Sequence, residues 1–156
     1  MSDETGILFL DIEGTLIESM DSPNFLTTIL DSDWLKNLIS KSNEIHCFSW
    51  AICNPKELES SKWLIRAIEE RLDIRFKTMI FRDDLFLPFR KQFGNFSFME
   101  FEEMCRLLGK ESIFQFFIRN VFERKEHTFF TLVDDMVEDT ILSGAFGSIQ
   151  TIRVKA

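Results

Sequence analysis

Two short acidic clusters, Asp11-Ile12-Glu13 and Asp134-Asp135, each come directly after an apolar stretch. Carboxylates leaving buried strands side by side repel one another, and a poorly solvated crevice needs a cation to offset them. An all-oxygen set of this kind suits Mg²⁺, which takes few protein ligands and keeps water positions that a phosphate oxygen can replace. Gly14 follows Glu13, so the backbone can turn closely there and leave amides facing an anion. Asp and Gly also end strands and make turns in proteins of every kind. Two clusters at the ends of two apolar strands go beyond that, and phosphate handling is the chemistry they fit.

The elements that must position these residues are readable from periodicity. Gly6–Leu10 is a continuous apolar run ending at Asp11, as expected of a strand buried on both faces. Helical spacing predicts a helix over Asp33–Ser42, with Trp34, Leu35, Leu38 and Ile39 apolar, and Glu44–Trp50 reads as a second strand. Asn54-Pro55 supplies an N-cap and a proline at the first helical position, opening a helix to about Leu72. Its inward stripe is expected at Leu58, Trp63, Leu64, Ile68 and Leu72. A third strand is predicted over Arg75–Phe81. Ser97 and Glu100 have capping-box spacing for a helix ending near Gly109. Ser112–Arg124 reads as a further helix, with Ile113, Phe114, Phe116, Phe117 and Val121 apolar. Strands at Thr128–Val133 and Ser148–Val154 complete the pattern. Strands alternating with helices imply an α/β fold, a Rossmann-like three-layer sandwich around a mainly parallel five-stranded sheet. In such sheets ligands bind at the carboxyl ends of the strands, where the acids collect.

Composition narrows the classes further. The chain has 156 residues, 45% hydrophobic and 28% charged, which suits a single domain (1–156) and excludes a disordered chain. A net charge of −8 and the lack of a dense basic run argue against a non-specific nucleic-acid binder. No apolar run approaches the roughly 20 residues that span a bilayer, and the acidic start Met1-Ser2-Asp3-Glu4 does not look like a leader. Cys47, Cys53 and Cys105, an odd number, point to reduced thiols and a cytoplasmic setting. The chain has 18 Phe and no Tyr, and its Phe density peaks over Phe81–Phe101. That segment is a candidate small insertion, and a contact surface for a second copy or another protein if its rings are exposed together.

The stretch Ile7-Leu8-Phe9-Leu10-Asp11-Ile12-Glu13-Gly14-Thr15-Leu16 resembles the first motif of the haloacid dehalogenase superfamily, an apolar strand followed by Asp-x-Asp-Gly-Thr. Asp134-Asp135-Met136-Val137-Glu138-Asp139 resembles its fourth motif, in which two acids four apart follow a strand, and Thr140–Gly147 is similar to the segment leading into the last core strand. Ser49 fits the second motif and Lys110 the third, with Lys91 and Lys125 as alternatives for the lysine.

What the resemblance implies is a Mg²⁺-dependent phosphomonoester hydrolase. Asp11 would be the nucleophile that forms an aspartyl-phosphate, and Glu13 the acid and base. Mg²⁺ would be held by the Asp11 carboxylate, the Glu13 carbonyl and Asp135, with Asp134 and Asp139 as outer partners. Ser49 would bond a phosphoryl oxygen, and Lys110 would offset charge in the transition state. Glu13 departs from the usual Asp, although the enolase-phosphatase branch carries a similar Asp-Ile-Glu-Gly-Thr. No cap domain fits between the motifs. Capless members are similar in having open sites, suited to macromolecular phosphoesters or shielded by a neighbouring subunit. The substrate is then either large, such as a phosphoprotein or a nucleic-acid end, or small with the Phe-rich segment supplying the missing wall.

Other readings fare worse. A receiver domain has its acidic pair after the first strand, the reverse of the order here. A cysteine phosphatase needs Arg six residues after its Cys, and no cysteine here has one. Gly109-Lys110-Glu111 lacks the Ser/Thr and the upstream Gly of a P-loop. His46 and His127 are isolated and read as structural. The alternative from another class is a catalytically weak, phosphatase-like fold serving as a protein-binding or regulatory module.

Overall fold

The computed structural model describes residues 5–122, 128–145 and 147–155. Its centre is β1 (Thr5–Leu10), which pairs in parallel with β2 (Glu44–Phe48) on one side and β4 (Thr128–Asp134) on the other. The described residues form a six-stranded sheet in the order β3-β2-β1-β4-β6-β5. Here β3 is Met79–Ile80, β5 is Thr140–Gly144 and β6 is Gly147–Arg153; all neighbours are parallel except β5 and β6.

Successive residues of β1 feed opposite faces, as the strand period requires. Leu8 and Leu10 pack with α1 (Thr27–Leu30), α2 (Asp33–Lys41) and α3 (Pro55–Leu72). Ile7 and Phe9 pack with α4 (Phe86–Phe93), α5 (Phe98–Leu108) and α6 (Lys110–Asn120). Helices thus cover both faces of a mostly parallel sheet.

Several local expectations hold. Asn54 caps α3 by accepting from Glu57 N–H at 3.0 Å. Ser97 and Glu100 form the reciprocal capping box of α5, at 3.1 and 2.9 Å. Others are corrected. The sheet has six strands rather than five, because Thr140–Gly144 forms a hairpin with β6. Gly147 opens β6 at φ 112°, and a Cβ there would lie 2.0 Å from Thr128 O, so only glycine lets this strand close on β4. The third strand shrinks from Arg75–Phe81 to Met79–Ile80, since Phe76 N–H is tied to Glu69 of α3 at 2.8 Å instead of to the sheet.

Trp63 is 62% exposed, and Ile65 takes its place beside Leu64 and Ile68. The ridge Leu58–Ile65–Leu72 runs seven residues at a time along one face, and Trp63 falls well off it. The helix expected over Ser112–Arg124 begins two residues earlier, at Lys110, and ends at Asn120. In the Phe-rich segment, a 3₁₀ turn (Arg82–Leu85) leads into α4. Phe89 and Phe101 are buried there, while Phe93 is 55% exposed.

Candidate active site

The β1–β4 ladder continues one residue past β1, where Asp11 N–H donates to Val133 O at 3.1 Å. Asp11 and Asp134 therefore emerge at adjacent carboxyl ends of the sheet. After Asp11 the chain coils tightly: Ile12 O accepts from the N–H groups of Thr15, Leu16 and Ile17. Gly14 sits at φ 78° in this coil, and a Cβ there would lie 2.2 Å from Asp135 Oδ2. That glycine is what allows the loop after β1 to lie against the loop after β4.

Asp11, Asp134 and Asp135 each offer an oxygen, and these oxygens all lie within 4.8 Å of one another. Asp11 is held from two sides. Lys110 Nζ donates to Oδ1 at 3.1 Å, and Thr15 Oγ1 donates to Oδ2 at 2.9 Å. The Lys110 ammonium also contacts Asp134 Oδ2, while Asp134 Oδ1 accepts from Met136 N–H at 2.7 Å. Lys110 reaches the acids because α6 starts there, at the break between α5 and α6. The side chain is only 6% exposed, with Nζ 5.7 Å from the Phe48 ring centre and 5.6 Å from that of Trp50.

These surroundings explain the ionisation of the group. Burial pushes the Lys110 pKa down, but Asp11 and Asp134 outweigh it, and the net shift is upward. Lys110 is therefore a fixed cation. Asp134 is raised by burial and by Asp11, against the pull of Lys110. Asp135 is pushed up to about 6 by burial, then by the Asp11 charge and a hydrogen bond with Asp11. One lysine does not neutralise three clustered carboxylates. Asp134 Oδ2 is buried and, despite the lysine beside it, accepts no aligned hydrogen bond from the described residues. Hard oxygen donors with surplus negative charge fit a divalent cation such as Mg²⁺.

Not every expected residue joins this group. The exposed Glu13 carboxylate is turned to the chain ahead of it and accepts from Met20 N–H at 2.6 Å. It thereby braces a small hairpin in which Glu18 N–H bonds Asn24 O at 2.9 Å. Asp139 is not one of the three clustered acids; its carboxylate accepts from Arg153 N–H at 2.7 Å. Ser49 is buried just after β2, its Oγ accepting from Ala51 N–H at 3.3 Å, and the pocket wall there is Trp50 and Ala51. Lys91 is exposed on α4 and Lys125 lies outside the described residues, as does His127. His46 is structural, stacked on Phe9 and bonded to Thr78 Oγ1 at 2.6 Å.

Sequence reasoning passed over two residues. Thr15 was visible as the hydroxyl one helical turn after Asp11. Trp50 carried no such signal, and its buried Nε1–H meets no acceptor among the described residues. Asp11, Asp134, Asp135, Lys110, Glu13 and Trp50 border an open pocket of about 550 Å³.

Compared with protein-family models, curated proteins and solved structures, the chain matches none. Fold and site define it as an α/β protein with a cluster of acids and one lysine at the carboxyl end of a mostly parallel sheet. No helix among the described residues is long and apolar enough to cross a membrane.

Proposed function

We propose that the chain is a phosphomonoester hydrolase of the haloacid dehalogenase type, working through an aspartyl-phosphate on Asp11 in a reducing, cytoplasmic compartment. The observation that carries this reading is the state of Asp11: a buried carboxylate at a strand end, held by Lys110 and Thr15, facing two further acids. A general structural ion pair would not gather surplus carboxylates around one lysine at the mouth of a pocket.

In the first half-reaction an Asp11 oxygen attacks phosphorus as the ester P–O bond breaks. The leaving oxygen takes its proton from Glu13. In the second, Glu13 takes a proton from water, the water oxygen displaces Asp11 from phosphorus, and inorganic phosphate leaves. Lys110 offsets charge on the phosphoryl oxygens, and Thr15 keeps Asp11 in its attacking orientation. Asp11, Asp134 and Asp135 would hold Mg²⁺, which supplies electrostatic stabilisation of the phosphoryl group when bound. To serve as acid and base, Glu13 must exchange its bond with Met20 N–H for one to the substrate, so the hairpin over residues 18–24 moves with the chemistry.

That same bond favours a second reading, a binding module with little turnover, in which Glu13 stays a structural brace. Acid-quenched protein after brief mixing with an aryl phosphate and Mg²⁺ separates the two. Peptide mapping by mass spectrometry should find a phosphoryl adduct on the peptide holding Asp11; an adduct elsewhere, or none during turnover, contradicts the nucleophile.

A further inference from the structure

Charge around the pocket narrows what can carry the phosphoryl group. Among the described residues, the charged ones lining it are Asp11, Glu13, Glu18, Asp134, Asp135 and a single cation, Lys110. That cation is buried, engaged with Asp11 and Asp134, and boxed in by the Phe48 and Trp50 rings. Among the described residues, no lining lysine or arginine remains to receive a second anionic group. Glu13 and Glu18 are exposed at the mouth, and the pocket at about 550 Å³ is open and larger than a phosphoryl group needs.

Resting on the phosphatase reading, we propose that the substrate is a phosphorylated polypeptide segment with cationic residues beside the phosphorylated one. A nucleic-acid end brings further phosphates at short, regular intervals, and each would face Glu18, the rim acid that carries no proton for the leaving group, within a Debye length of roughly 8 Å. Lysine or arginine flanks meet that carboxylate as attraction and raise the encounter rate. Polypeptides are the phosphorylated polymers that can be locally cationic. The rim also offers the exposed Met136 thioether, an adaptable apolar contact for a side chain or peptide backbone. Glu18 holds Asn24 Nδ2 at 3.2 Å, a bond that a neutral amide at position 18 can still accept.

The test compares kcat/KM at low salt for three probes: a phosphoserine peptide with arginine flanks, the same peptide with aspartate flanks, and a 5′-phosphorylated oligonucleotide. Wild type should favour the basic peptide over the other two by about tenfold or more, and added salt should shrink the difference. Glu18→Gln, which keeps an acceptor for Asn24 Nδ2, should reduce the basic-to-acidic ratio, and Glu18→Lys, which reverses the charge and gives up that bond, should reduce it further. Equal rates on the two peptides, or faster hydrolysis of the oligonucleotide, overturn the proposal. An aryl phosphate serves as the separate control. Its hydrolysis without any charge preference removes this inference alone, whereas no turnover of any probe removes the phosphatase reading with it.

Discussion

Asp11 and Glu13 lie two residues apart in the chain, yet they belong to different regions of the molecule. Asp11 ends the central strand, buried between β1 and β4, with its oxygens held by a lysine 99 residues later and a threonine four residues later. Glu13 lies outside that seam, exposed, and bonded to the hairpin that follows it. The seam is rigid because packed strands and buried charge pairing define it. The hairpin is held by a few backbone bonds and by side-chain bonds at its surface, among them those of Glu13 and Glu18, which is the cheap end of the stability range. A nucleophile needs the first environment, and a proton carrier that must approach and withdraw needs the second.

Breaking the seam should have the largest effect. Lys110→Met would leave Asp11 and Asp134 buried without their cation, and stability in urea should fall by about 3–5 kcal/mol, with turnover lost. A loss below about 1 kcal/mol would mean that solvent already reaches these acids and that the seam is not distinct from the surface.

Glu13→Gln sharpens the contrast from the other side. The amide can still accept from Met20 N–H, so the hairpin and the unfolding midpoint should be retained. Turnover of alkyl phosphates should drop by roughly 10²–10⁴-fold, and turnover of aryl phosphates with good leaving groups much less. Equal losses on both substrate classes would remove the general-acid role.

The smallest effect concerns Asp135, at the border of the two regions. Its pKa in the folded protein is about 6, against an ordinary 3.8. The metal-free folded state therefore holds this proton more tightly than the unfolded chain does. That contribution is fully present below 3.8 and is lost as pH rises through about 6. Asp135→Asn removes it, so in chelator the Tm of the variant minus that of wild type should increase across this window. Mg²⁺ should then stabilise wild type more than the variant at neutral pH. A flat difference in Tm would show that Asp135 is not burdened by its neighbours.

Much of the buried seam was legible in the sequence, because a two-sided strand ending in an acid leaves a continuous apolar run that few other structures produce. Gly6–Leu10 with Asp11, and Thr128–Val133 with Asp134, are of this kind. Lys110 was readable from its place at the break after Gly109, although its cage of Phe48 and Trp50 was not, since those rings arrive from another strand. The edges were harder. In β5, Ile141 is 74% exposed and the strand lacks the apolar run of a buried one, so nothing marked it. Met79–Ile80 is short because Ile74 and Phe76 bond Glu69 of α3, and the backbone first reaches β2 at Lys77. Asp139 was read from its spacing alone, and the loop after β4 sends its carboxylate to the Arg153 amide. Trp63 shows the limit of apolar periodicity, where a large ring one position off the stripe remains in solvent.

The most direct test of the central claim is hydrolysis of a simple aryl phosphate by wild type and Asp11→Asn, each with Mg²⁺ and with chelator. The account predicts turnover by wild type with Mg²⁺ alone, loss in chelator, and at least about a 10³-fold loss in Asp11→Asn with the fold intact by circular dichroism. Turnover by Asp11→Asn near the wild-type rate would contradict it, because an amide cannot form the acyl-phosphate that the reaction requires.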